Sequence, residues 1–200
     1  MKSLTHYIQE KLVIKKNKYN YFPKTKKELK DIIEQRIKKE GNEVDLNDID
    51  VSKITDMSYL FEGNTNFNAD ISNWDVSNVK DMSNMFDGCK NFNQDISSWD
   101  VSKVKDMGWM FYSCESFNQD ISNWDVSSVL SMDAMFSDCF EFNQDISNWD
   151  VSNVITMEGM FFDCFAFNQD ISNWDVSNVK DMQDIFKYCP IQDKYKPKFK

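Results

Sequence analysis

The chain has 200 residues, of which 41% are apolar, enough for the core of one ordinary domain; with only five glycines and three prolines it is neither collagen-like nor a low-complexity disordered chain. Its net charge of −10 is unevenly placed: residues 1–49 carry 12 basic against 8 acidic side chains, residues 50–189 carry 7 against 24, and residues 190–200 carry 4 against 1. So acidic a body disfavours nucleic acid and anionic membrane, each of which requires a positive face.

At the N-terminus, Met1–Glu10 lacks the apolar core of a signal peptide, and a lipoprotein-type cysteine is missing. No stretch approaches the ~20 apolar residues of a membrane span. The expected location is therefore the cytoplasm, with no membrane insertion. Leu4, Tyr7, Ile8 and Leu12 predict a first helix over about residues 3–12. Thr25-Lys26-Lys27-Glu28 is a capping-box pattern, and Leu29, Ile32, Ile33 and Ile37 form an apolar stripe ending at Gly41. A second helix is predicted over residues 25–40. Residues 1–49 are expected to form an α-helical cap, with a docking helix for a partner as the alternative.

From Asp50 onward the sequence repeats. Tryptophans at 74, 99, 124, 149 and 174 and cysteines at 89, 114, 139, 164 and 189 recur every 25 residues. Units begin at Asp50, Asp75, Asp100, Asp125, Asp150 and Asp175; the first is degenerate, with Leu60 and Asn64 in place of methionine and cysteine, and the last stops at Cys189-Pro190. Atypical end units suit a stack, whose ends must be less adhesive than its middle. Within a unit, Val79, Met82, Met85, Phe86 and Cys89 are spaced as one face of a helix, with Ser77 or Asn78 as its cap. Gln94–Trp99 reads as a short strand. Neither element can bury its apolar side alone, so stacked copies are expected, with strands pairing in parallel. Stacking turns recurring residues into columns. Phenylalanines run through Phe67 and Phe92 and through Phe61 and Phe86, isoleucines through Ile71 and Ile96, and the Asn68 and Asn93 column is expected to link neighbouring turns through buried amides.

The pattern Trp-Asp-Val-Ser-x-Val-x-x-Met-x-x-Met-Phe-x-x-Cys-x-x-Phe-Asn-x-Asp-Ile-Ser covers residues 50–189 and resembles the BspA-like leucine-rich-repeat family of bacterial surface proteins. The resemblance implies parallel strands on one side, short helices on the other, and a binding role in adhesion or recognition, with the cell surface as the alternative location. The expected fold is an α/β repeat solenoid, leucine-rich-repeat-like, with one short parallel strand and one short helix per 25-residue turn and an α-helical N-terminal cap. The expected domains are 1–49 (cap), 50–189 (solenoid) and 190–200 (basic tail).

Catalytic chemistry finds few candidates. His6 is the only histidine, and no glycine loop is built to cradle phosphate. The cysteine column is expected to be structural, one small core residue per turn. The columns through Asp70 and Asp75 bring like charges together, and either backbone N–H donors in tight turns or a row of calcium ions must compensate. No cofactor is expected.

Positions that vary between units are free of stacking duty. The 84 column runs Asn84, Trp109, Ala134, Gly159, Asp184; the 87 column runs Asp87, Tyr112, Ser137, Phe162, Lys187; and the 90 column runs Lys90, Glu115, Phe140, Phe165. Trp109, Tyr112, Phe140, Phe162 and Phe165 are thus candidates for one aromatic partner-binding patch on the helical side, unless they fold back against neighbouring turns. The expected function is a non-catalytic scaffold for a protein partner, a foreign protein or a second copy of the chain. The alternative is an adhesin or glycan binder using the polar strand face, with or without calcium.

Overall fold

A computed structural model describes residues 18–199. The predicted second helix is present as α1, Lys26–Glu40. Thr25 is extended and its hydroxyl accepts the Glu28 N–H at 3.2 Å, while Glu28 reaches back to the Lys24 N–H at 2.7 Å. Gly41, at φ 93°, ends the helix and donates to the Ile37 carbonyl at 2.8 Å. The helix buries Leu29 and Ile33 and half-buries Ile32 and Ile37 against the start of the repeats. Arg36 clamps it there, bonding Glu40 and Asp48 at 2.8 Å and the Asp45 carbonyl at 2.9 Å. The predicted helix over 3–12 lies outside the described residues.

The repeats themselves overturn the α/β expectation. Among the described residues α1 is the only α-helix, beside a short 3-10 turn at Asp193–Tyr195, and there is no extended strand. Residues 79–89, predicted as a helix, and residues 94–99, predicted as a strand, are successive tight turns. The cause is visible in the hydrogen bonds. Val79 donates to Val76, Met85 to Met82, Cys89 to Phe86, Phe92 to Cys89 and Trp99 to Ile96, each N–H bonding the carbonyl three residues back at 2.8 to 3.2 Å. In such a turn the first and fourth residues face the core and the middle two face solvent. A run of these turns places apolar residues three apart, which imitates the spacing of a helix. Left-handed residues then forbid a helix outright: Asn84 has φ 56° and Gly88 φ 72°, and their columns stay left-handed along the stack.

Each 25-residue unit is thus a coil of turns, and neighbouring coils are stitched in register. Met82, Asn84, Phe86 and Gly88 donate to the carbonyls of Asp106, Gly108, Met110 and Tyr112 at 2.8 to 3.0 Å, while Lys80 donates backwards to Thr55 at 2.8 Å. Isolated parallel bridges run through Asp56, Asp81, Asp106, Ser131, Thr156 and Asp181. Pairing is parallel, as expected, but a left-handed residue three positions after each of these bridges keeps the backbone from extending into a strand. The register extends past residue 50 on one side, where Asp45 bridges Asp70, and past 189 on the other, where Ile171 donates to the Tyr195 carbonyl at 3.0 Å.

The core consists of stacked rings. Phe86, Phe111, Phe136 and Phe161 stack at centroid separations of 5.6 to 5.8 Å, with interplanar angles of 4° to 16°. The Phe92 column stacks alongside at about 6 Å, each ring within about 4.2 Å of its partner in the first column. The column tryptophans are buried and donate Nε1–H to a carbonyl 28 residues back, as Trp124 does to Ile96 at 3.1 Å. The asparagine column links neighbouring coils as expected, Asn93, Asn118, Asn143 and Asn168 each donating N–H to the preceding Oδ1 at 3.0 Å, although these side chains lie at the surface.

Candidate functional site

The chemistry-bearing columns are largely self-satisfied. Cys89, Cys114 and Cys139 are buried and donate S–H to the carbonyls of Phe61, Phe86 and Phe111 at 2.9 to 3.1 Å. Burial holds these thiols far above their usual range, so they are not nucleophiles at neutral pH. The aspartate columns cap turns: Asp75 accepts the N–H and hydroxyl of Ser77 at 3.2 and 2.6 Å, and Asp95 accepts the Ser97 N–H at 2.9 Å. Hydrogen bonds from Ser97 and Ser122 hold the Asp95 and Asp120 carboxyls below the usual range. Among the described residues no group of three His, Cys, Asp or Glu side chains is placed to hold a metal ion. The polar row is likewise engaged, Gln144 donating to the Asn118 carbonyl and Oδ1 at 2.9 Å.

The variable columns behave differently. Trp109 is 43% exposed and sits at φ 60°, a left-handed conformation that costs a residue with a Cβ roughly 1–2 kcal/mol. Tyr59 occupies the same column at φ 56° and is 48% exposed. The column's other members are mostly small or turn-favouring: Asn84, Ala134, Gly159 and Asp184. Two bulky rings therefore stand in a strained conformation without full burial to offset it, a pattern that marks functional side chains.

Two adjoining pockets flank Trp109. The first, of about 520 Å³, is lined by Tyr59, Asp87, Asp106, Gly108, Trp109 and Asp133 among others. The second, of about 250 Å³, is walled by Trp109, Tyr112 and Phe162 with Glu158 and Asp184 at its edge. Burial raises the Asp106 carboxyl above its ordinary range, with the charges of Asp81 and Asp133 adding to it; burial and then Glu62 do the same to Asp87.

The five residues singled out from the sequence thus fall into two groups. Trp109 and Tyr112 meet with ring centroids 4.8 Å apart, and Phe162 closes their pocket and touches Tyr188 edge-on at 5.6 Å. Phe140 and Phe165 stack on each other at 5.3 Å, outside both pockets, and Phe165 is 56% exposed. All five lie on turns rather than on helices. Sequence reasoning missed Tyr59, Tyr188 and the exposed neighbours Leu130 and Ile155. It also missed Asp133, which breaks the column Ser58, Ser83, Gly108, Asp133, Glu158, Gln183. Reading that column, and including the degenerate first unit, supplies both Tyr59 and Asp133.

In-register coils with an aromatic and acidic face of variable positions define a repeat protein. The family described as "Mycoplasma protein of unknown function, DUF285" matches residues 27–141 and again 120–196, and the chain belongs to that family. No curated protein and no solved structure matches the chain. Among the described residues no helix is long and apolar enough to cross a membrane.

Proposed function

We propose that the chain is a non-catalytic scaffold that binds a protein partner through the face built on Trp109, Tyr112 and Phe162. The observation that carries this reading is Trp109 itself: a large ring, 43% exposed, in a left-handed conformation that its smaller column neighbours adopt more cheaply. Aromatic side chains beside a pocket are the usual anchors of protein interfaces. The resemblance of the repeat to BspA-like proteins supports a binding role. The polar row uses its donors within the stack, which favours the aromatic side over a glycan-binding polar face.

The test compares the wild type with a Trp109→Ser, Tyr112→Ser, Phe162→Ser variant and with a Phe140→Ser, Phe165→Ser variant. Light scattering after size exclusion reads self-association, and affinity capture followed by titration of the purified partner reads heterologous binding. The reading expects the first variant to keep its melting temperature and lose the partner, or the dimer, at least tenfold. Equal loss in both variants, or unfolding of the first, refutes it.

A further inference from the structure

Each coil of the stack gives four backbone N–H groups to the next. Met157, Gly159, Phe161 and Asp163 donate to the carbonyls of Asp181, Gln183, Ile185 and Lys187 at 2.9 to 3.0 Å. The corresponding groups of the last coil are the N–H of Met182, Asp184, Phe186 and Tyr188, and among the described residues nothing accepts them. The N–H groups between them are used locally. Gln183 donates to the Asp181 carboxylate at 3.2 Å, Ile185 to the Met182 carbonyl at 3.3 Å, Lys187 to Asp184 at 3.0 Å and Cys189 to Phe186 at 3.1 Å. Those turn bonds also engage the carbonyls of Met182, Asp184 and Phe186, so what the edge offers is a row of donors two residues apart.

The rest of this end is covered. Ile191 and Pro197 of the tail are buried, and Lys196 places Nζ 5.8 Å over the Phe186 ring, so the tail crosses the end of the core without taking any of the four donors. The rim itself is accessible: Asp184 is exposed, and Tyr188 is 66% exposed. At the opposite end the complementary carbonyls, those of Asp56, Ser58, Leu60 and Glu62, lie under α1. Lys26 Nζ reaches the Ser58 carbonyl at 3.1 Å, and Ile33 and Ile37 close on Leu60 and Glu62.

The geometry points to the rim Met182–Tyr188 as the docking edge for an extended, acidic segment of a partner protein, laid on the last coil as one more rung with its carbonyls accepting the four N–H groups. This edge is a second surface and stands or falls independently of the Trp109 face. Unpaired backbone donors along an edge are a template for an added chain, and here their spacing is already the one a coil satisfies. A second copy does not fit. A two-fold contact sets donors against donors, and head-to-tail stacking needs the carbonyl row that α1 covers. Charge selects an acidic segment: residues 180–200 carry six basic side chains against three acidic, the reverse of the body, and Lys180 and Lys187 are exposed beside the donors. The row of unopposed N–H dipoles adds to that positive field.

The test uses the full chain, isotope-labelled for amide-hydrogen exchange by NMR, and a fluorescein-labelled peptide of residues 81–89 carrying Cys89→Ser. In the native stack Asp81, Ser83, Met85 and Asp87 present their carbonyls to just such a row, and two of the four are acidic. In the free chain the amides of Met182, Asp184, Phe186 and Tyr188 exchange far faster than those of Met157, Gly159, Phe161 and Asp163. Saturating peptide slows the four by about tenfold or more. Anisotropy reads the affinity, which falls by about fivefold or more in Lys187→Glu, while Lys103→Glu, equal in charge but on another coil, binds as the wild type does. The proposal is overturned if the four amides are already protected in the free chain, or if the peptide binds without slowing them. It is also overturned if Lys187→Glu and Lys103→Glu weaken binding equally, or if the peptide with Asp81→Asn and Asp87→Asn binds as well. Equal protection by an oligothymidylate overturns it too, since the edge then takes any polyanion rather than a protein segment.

Discussion

Replacing Phe111 with alanine removes a rung from the middle of the phenylalanine ladder. The ring is fully buried and stacks on Phe86 at 5.6 Å, Phe136 at 5.7 Å and Phe117 at 4.1 Å. Phe→Ala in a core costs roughly 3–5 kcal/mol, and the rigid stitching of the coils above and below leaves little room to collapse into the void, which favours the upper half of that range. For a chain of this size the loss corresponds to a fall in melting temperature of about 10 °C or more. Phe165→Ala is the control, since that ring is 56% exposed and touches mainly Phe140; its loss costs under about 1 kcal/mol. Calorimetry and urea unfolding by near-UV circular dichroism measure both. Nearest-neighbour stacks lose cooperativity when a middle interface weakens, so a lower urea slope is expected for Phe111→Ala alone. If the two variants melt within about 2 °C of each other, the ring ladder is not what holds the coils together.

Three further outcomes are expected. Ser113 occupies a left-handed column position, φ 54°, where Gly63 and Gly88 stand in other coils, so Ser113→Gly stabilises the chain by about 0.5 kcal/mol once glycine's greater chain entropy is subtracted; a lower melting temperature contradicts this. A thiol-reactive dye at pH 8 labels only Cys189 in the native chain, slowly, and all five cysteines after unfolding in guanidinium, because the other four are fully buried. In acid the two kinds of aspartate part company. Asp95 and Asp120 titrate below the unfolded value of about 3.9, so the stability they confer is present above that pH and is lost as pH falls through their folded values. Asp106 is raised, so its ionised form opposes folding at neutral pH, and that penalty disappears as pH falls through its folded value. Asp106→Asn therefore raises the melting temperature at pH 7, and the gain shrinks toward pH 4, whereas Asp120→Asn lowers it at pH 7; thermal melts across that range decide.

The repeat and its core were readable from periodicity, because a residue that recurs at a fixed interval must meet its copy in a stack: Phe86 finds Phe111, and Asn93 bonds Asn68. Local structure was not readable from the same pattern. Met82, Met85, Phe86 and Cys89 have helical spacing, but consecutive turns closed by bonds three residues back produce nearly the same spacing. The deciding signal was the 84 and 88 columns, where Asn84, Gly88, Gly159 and Asp138 are residues that tolerate left-handed backbone, which a helix interior excludes. The helix α1 had no such competitor, and its caps, Thr25 and Gly41, marked its ends correctly. Variability singled out Trp109, Tyr112, Phe162, Phe140 and Phe165 alike, whereas the structure brings the first three to one pocket and stacks the other two outside it, because the sequence reveals which positions are free and not which way each turn aims them.

The one-to-one register of the bridges from Asp45 onward, each joining positions 25 apart, has a consequence for inheritance. Because no coil depends on any but its immediate neighbours, unequal crossing-over between two units deletes or duplicates a whole coil and rejoins matching surfaces. Such an event changes the number of coils between the capping helix, held to Asp56 by Lys26, and the exposed ring of Trp109, while every core ring still lands on a ring. A lineage can thus lengthen or shorten the stack without passing through an unfolded intermediate.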